Sequence, residues 1–202
     1  MWRCTLGVAG LVLAAGSGRR LGTPKALLRY HDVPLVERAA WTLHDAGCAP
    51  VVVVLGAAAE RITSETDLSK VTVVVNRAWS TGVGSSLKAG LRSVEETDAE
   101  AVVVIPVDMP GITAEAVRRV AELPHRDALV CATYEGRRGE PVLLGRNHWA
   151  GVTMLATGDV GLRPYLLARS AQVTTVSCDG VATCDDVDTV EDATRLGIEI
   201  PA

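Results

Sequence analysis

Three glycines and three cations crowd into Gly16-Ser17-Gly18-Arg19-Arg20-Leu21-Gly22-Thr23-Pro24-Lys25, directly after an apolar run that ends at Leu13. Glycine lets backbone N–H groups turn toward an anion without Cβ obstruction. Arg19, Arg20 and Lys25 add fixed positive charge, and charge-assisted bonds to phosphate are strong. The stretch suits a triphosphate. A Gly-rich turn with solvated cations is the plain alternative for the Gly-x-Gly alone. Two familiar phosphate loops fail on spacing: no Gly-x-x-x-x-Gly-Lys-Ser/Thr is present, and Leu21 stands where the dinucleotide fingerprint needs its third glycine.

The acidic candidates lie far away in sequence. Asp108 follows the run Val102–Val107 and precedes a Pro110-Gly111 turn, which it could simply stabilise. Cys184-Asp185-Asp186-Val187-Asp188-Thr189-Val190-Glu191-Asp192 is a second acidic cluster. Thr189 and Asp192 are spaced as an aspartate variant of the capping box. That leaves Asp186 and Asp188 on one side of an extended segment. If the fold brings them near Asp108, two carboxylates can hold one Mg²⁺, with phosphate oxygens completing its shell. Asn76 and Ser86 offer hydrogen-bonding groups for a base, and Gly82 and Gly84 permit close approach; a polar loop entering a helix has the same look.

These residues need elements to position them. Short, continuous β-branched runs recur at Gly7–Leu13, Val51–Leu55, Val71–Val75, Ala101–Val107, Ala128–Ala132 and Val173–Val176. Continuous rather than alternating apolarity predicts strands covered on both faces. Helical spacing falls between them at Pro34–Ala46, Gly84–Val94 and Thr113–Leu123, the last with Thr113 as N-cap. Alternation of this kind predicts an α/β sandwich with a mostly parallel sheet. The Tyr134–Arg138 stretch reads as a turn before Pro141–Leu144, which gives one antiparallel strand. Ligands of such sheets bind beyond the carboxyl ends of the strands.

Composition sets bounds. The chain has 202 residues, 48% hydrophobic and 22% charged, with no Phe and a net charge of −4. One domain spanning residues 1–202 is expected, burying roughly 70% of its unfolded surface. No cationic face for nucleic acid is indicated. No apolar run approaches the ~20 residues of a membrane span. Leu6–Ala15 could pass for a signal-peptide core after Arg3, but it reads better as a buried first strand. The five cysteines, Cys4, Cys48, Cys131, Cys178 and Cys184, form no C-x-x-C pair. Reduced, buried thiols and a cytoplasmic location are expected. Trp41, Trp149 and Leu143 read as packing residues, and the four histidines show no triad or metal spacing.

Four blocks in register resemble the MobA-like nucleotidyltransferases, and most closely the molybdenum cofactor cytidylyltransferases: L-A-A-G-x-G-x-R-x-G…P-K at Leu13–Lys25; Asn76, Trp79, Gly82, Ser86, Leu87 and Gly90; Asp108 with Pro110; and D-(I/V)-D-T-x-E-D at Asp186–Asp192. The resemblance covers about residues 8–196. It implies a Rossmann-like three-layer sandwich with a mostly parallel mixed sheet, of the nucleotide-diphospho-sugar transferase type. It implies transfer of a nucleoside monophosphate from NTP to a phosphorylated pterin-type acceptor, and a molybdoenzyme or cofactor-delivery partner. By the same resemblance, Leu13, Ala14, Ala15 and Gly16, with Gly18, Asn76, Gly82 and Ser86, would bind the nucleotide. Arg20 and Lys25 would hold its triphosphate. Asp108, catalytic with them, would share Mg²⁺ with Asp188, Asp186 being the reserve ligand. Gly158-Asp159-Val160-Gly161-Leu162-Arg163 and Gly139 would face the acceptor, although Asp159 could equally N-cap a helix. Ala15, where guanylyltransferases of the group usually carry Gly, favours CTP. Glu140 departs from the family, which often has His or Asn before the proline.

Other readings stay in view. The short spacing from Leu21 to Pro24 argues against sugar-phosphate members. The Asn76/Trp79/Gly82 spacing argues against polyol-phosphate cytidylyltransferases. A GTP-using guanylyltransferase of the molybdenum cofactor, a non-catalytic nucleotide-binding chaperone and an NAD(P)-dependent oxidoreductase complete the set, the last opposed by the loop spacing.

Overall fold

The computed structural model describes residues 7–122 and 124–201. Cys4, Arg3 and the expected helix end at Leu123 lie outside them. The first strand, β1 (Val8–Ala14), forms where the valine- and leucine-rich run predicted it. A 3-10 turn over Lys25–Leu27 and two short strands, β2 (Arg29–Tyr30) and β3 (Val33–Pro34), lead into α1 (Leu35–Asp45). Then come β4 (Val51–Leu55), α2 (Ala59–Glu65), β5 (Thr72–Val75) and α3 (Val83–Glu95). The chain continues through β6 (Ala101–Pro106), α4 (Ala114–Val120), β7 (Leu129–Tyr134), β8 (Arg137–Gly145) and α5 (Arg146–Leu155). It closes with α6 (Arg163–Ala168), β9 (Thr174–Ser177), α7 (Val190–Leu196) and β10 (Ile198–Glu199).

Seven strands pair in the order β5-β4-β1-β6-β8-β7-β9. Only β8 runs against its neighbours, antiparallel to both β6 and β7. It follows β7 through the predicted turn, where Glu135 and Gly136 take positive φ. The predicted mostly parallel sheet with one reversed strand is thus present. Apolar residues leave the sheet on both faces. One core joins Val12, Val53 and Ile105 to α1 and α4. The other joins Leu11, Val54 and Val104 to α3 and α5. Burial of each fully enclosed Leu or Val stabilises by roughly 1.5–3 kcal/mol, which makes this central β4-β1-β6 wall the rigid platform for the loops.

Three expectations needed correction. The edge strands β5 and β9 are not covered on both faces; Val75 is 55% exposed. An edge strand has a neighbour on one side only, and helices do not extend over it fully. Trp41 is 48% exposed on α1 rather than packed, whereas Trp149 and Leu143 are buried. Among the cysteines, Cys48, Cys131 and Cys178 are buried but Cys184 is exposed. A small second sheet of β10, β2 and β3 had no sequence signal, since its strands are two residues long.

Candidate active site

The loop after β1 sets the site's first wall. Ala15 accepts a hydrogen bond from the Ala57 N–H through its carbonyl (3.0 Å), which ties this loop to the one after β4. Gly18 has φ +61°, and a Cβ there would lie 1.9 Å from the Thr23 carbonyl oxygen. The loop folds back on itself there, with Leu21 N–H donating to Gly18 O at 2.9 Å. That closure needs glycine at this position. It delivers Lys25 to the start of the 3-10 turn, at the carboxyl edge of the sheet.

Lys25 meets both distant acids. Its ammonium donates to Asp108 Oδ2 at 2.7 Å and to Asp188 Oδ1 by a still shorter bond. Arg20 donates to the second oxygen of Asp188 at 2.9 Å. Two docking contacts hold the acids there. Val187 N–H donates to Asp108 O at 2.9 Å, bringing the acidic segment against the end of β6. The capping box forms: Thr189 Oγ1 accepts from Asp192 N–H, and Asp192 Oδ2 accepts from the N–H of Thr189 and of Asp188. The cap and the ligand residue are therefore consecutive parts of one device.

Electrostatics follow from these contacts. Burial works against the Lys25 charge, but Asp108 and Asp188 outweigh it and hold the ammonium above the ordinary lysine value. The Lys25 hydrogen bond, with Lys25 and Arg20 charge, pulls the Asp188 carboxyl below the usual aspartate range against some burial. Glu140 goes the other way. Burial pushes its carboxyl up, and the charges of Asp108 and Asp186 add to that.

Two cavities open at this edge. The smaller, about 280 Å³, is lined by Leu13, Ala15, Gly16, Lys25, Gly82, Ser86 and Asp108 among others. The larger, about 570 Å³, is lined by Gly139, Asp159 and Arg163, all three expected on the acceptor side, together with Cys131 and Glu140. Leu13, Val83, Pro106 and Asp159 belong to both walls. Gly82 sits at the seam: its φ is +110°, and a Cβ would come within 2.2 Å of the Gly158 carbonyl carbon.

Several expected residues stand elsewhere. Ala14 is buried in the strand and Gly18 shapes the loop, so neither lines the smaller cavity. Asn76 is behind the wall: its amide donates to Ser85 and Ser86 hydroxyls at 2.8 and 3.0 Å and accepts from Ala78 N–H at 3.0 Å. It orients Ser86, which does reach the cavity. Arg19, not Arg20, lines the smaller cavity, while Arg20 holds Asp188. Asp159 does not cap α6, whose N-cap is Leu162; its carboxylate instead accepts from Val83 N–H at the start of α3 (3.4 Å). Asp186 is exposed and close enough to Glu140 for its charge to be felt. Ser17, Trp79 and Ser80 also line the smaller cavity. Only Trp79 carried a signal, in the second motif block.

Among the described residues, no group of three or more His, Cys, Asp or Glu side chains is arranged to hold a metal ion. The Asp108–Asp188 pair nonetheless fits a hard divalent cation. Both offer carboxylate oxygens, the ligands such ions prefer, and both already converge on one positive centre, the Lys25 ammonium. No helix among the described residues is long and apolar enough to cross a membrane.

Residues 10–174 match the MobA-like NTP transferase domain family. Nicotine blue oxidoreductase of Paenarthrobacter nicotinovorans is 37% identical, over 94% of this chain and 96% of that protein. Molybdenum cofactor guanylyltransferase of Shewanella halifaxensis is 27% identical, over 96% of this chain and 95% of that protein. Among solved structures, Rv0371c of Mycobacterium tuberculosis in complex with manganese superposes with a TM-score of 0.80 at 26% identity, covering 94% of this chain and 97% of that one.

Proposed function

The chain belongs to the MobA-like NTP transferase family, and from that premise we propose that it transfers a nucleoside monophosphate from an NTP to the phosphate of a molybdopterin-type acceptor, releasing pyrophosphate. Most of its named relatives are guanylyltransferases of the molybdenum cofactor. They favour GTP over the CTP that Ala15 suggests. The single observation that carries the reading is the convergence of Lys25, Asp108 and Asp188 beside two adjoining cavities, one for each substrate.

The reaction is an in-line displacement. An acceptor phosphate oxygen attacks the α-phosphorus, a new P–O–P bridge forms, and the bond to the β-phosphate oxygen breaks. The attacking phosphate is already deprotonated near neutral pH, so no protein base is required. Catalysis rests on positioning and on charge. Gly16 and Ser17 line the smaller cavity, and Arg19 and Lys25 bring cations there that offset the leaving pyrophosphate. Asp159 and Val83, on the shared wall, set the distance between donor and acceptor. A divalent cation, magnesium or the manganese of the mycobacterial relative, would be held by Asp108 and Asp188 and would neutralise charge at the triphosphate. The whole chain acts as one domain in this reading.

The Paenarthrobacter relative supports a second reading, an oxidoreductase. One experiment separates the two: consumption of ATP, CTP, GTP and UTP with Mg²⁺, with and without molybdopterin, beside oxidation of NADH and NADPH. Acceptor-dependent NTP consumption with pyrophosphate release is expected. Nicotinamide oxidation without any NTP turnover rejects nucleotidyl transfer.

A further inference from the structure

Glu140 lines the larger cavity between Gly139 and the apolar Val142. Among the described residues, no cation ion-pairs with its carboxylate and no other residue donates a hydrogen bond to it. Asp108 and Asp186 place further negative charge nearby. Leu13, Val104, Val142 and Leu162 contribute apolar wall to the same chamber. A half-buried carboxylate whose one donor is its own backbone N–H has lost part of its hydration and keeps most of its acceptor capacity unused. A chamber with an apolar wall and an under-used carboxylate on it is complementary to a flat ring whose edge carries N–H donors. An anionic edge would be repelled there. Arg138 and Arg163, also on the wall and exposed, are available to an anionic tail.

On the nucleotidyl-transfer reading above, the acceptor enters this chamber, and we propose that Glu140 selects it by its ring edge. It takes a heterocycle with two adjacent N–H donors, as a 2-amino-4-oxopteridine has, and rejects the 2,4-dioxo analogue of the same shape. Two N–H groups on one carboxylate form a bidentate, charge-assisted pair. The dioxo ring puts a carbonyl oxygen where the amino group was, facing the carboxylate oxygen. One lost hydrogen bond to a charged group corresponds to about 10- to 100-fold in affinity.

The test titrates the full chain with pterin and with lumazine by fluorescence, using wild type, Glu140→Gln and Glu140→Ala, with thermal melting as the check on folding. Wild type should bind pterin about 10- to 100-fold more tightly than lumazine, and both variants should lose most of that preference. Equal binding of the two rings by wild type overturns the proposal. So does an undiminished preference in folded Glu140→Gln, or failure of pterin to bind wild type. The parallel turnover assay keeps the two readings apart. A Glu140-dependent ring preference without NTP consumption rejects nucleotidyl transfer and leaves ring selection standing. NTP turnover with no ring preference does the reverse.

Discussion

Replacing Lys25 by Met removes the charge at the centre of the site while keeping the length of the side chain. Lys25 is 18% exposed and bonds Asp108 and Asp188, which are 23% and 34% exposed. Its loss acts on two quantities of different size. In the resting protein, two carboxylates face each other with one cation fewer, but solvent reaches Asp188 and Arg20 still pairs with it. Screening therefore limits the stability loss to about 1–2 kcal/mol. In the reaction, a preorganised cation at a developing charge in a cavity of about 280 Å³ is lost. That is worth about 3–4 kcal/mol of barrier, or a fall of 10²–10³ in rate. Pyrophosphate release with saturating NTP and acceptor measures the second quantity, and a melting curve measures the first. Because the charge develops only during the displacement, kcat should fall more than KM for NTP rises. A folded Lys25→Met protein that turns over like wild type would refute the reasoning. Lys25 would then be a tie between strand ends and nothing more.

Three other perturbations test neighbouring parts of the site. Asp108→Asn should abolish turnover that depends on the divalent cation, and a titration of rate against Mg²⁺ or Mn²⁺ should no longer saturate. Gly82→Ala forces a Cβ into the Gly158 backbone at a φ of +110°; it should cost about 2 kcal/mol or more and raise KM for both substrates, read from melting and steady-state kinetics. The Asp192 carboxyl is held at about 2, down from 3.8, by the Thr189 hydroxyl and then by Arg195. A depressed carboxyl stabilises the fold above its unfolded value and loses that contribution as pH falls through its folded one. Melting temperature should therefore drop between those two values in wild type, and Asp192→Asn should flatten that part of the curve.

The sheet was legible because burial writes itself into composition. Val51–Leu55 and Ala101–Pro106 are continuous apolar runs because both of their faces are covered, and they form where that pattern placed them. Caps were legible for a similar reason: Thr113 and Thr189 act within three residues of their targets, so spacing alone reports them. Trp41 misled because an apolar residue at helical spacing says nothing about whether a neighbour exists to cover it. The two-residue strands of the small sheet were invisible because they are too short to show any period.

Within the site, sequence alone determined which chemistry was possible: the glycines that open the loop, the cations beside them and the carboxylates at strand ends are fixed by residue type and local spacing. Only the tertiary structure decided their partners. Lys25 and Asp188 are separated by 163 positions, and no local rule links them; the β4-β1-β6 wall and the Val187–Asp108 contact bring them together. The same holds for Arg20 and Arg19, adjacent in the chain yet turned to different tasks, and for Asn76, drawn behind the wall by two serines. Local chemistry depends on residue type, whereas direction depends on packing against segments far away, and that is settled only once the chain has folded.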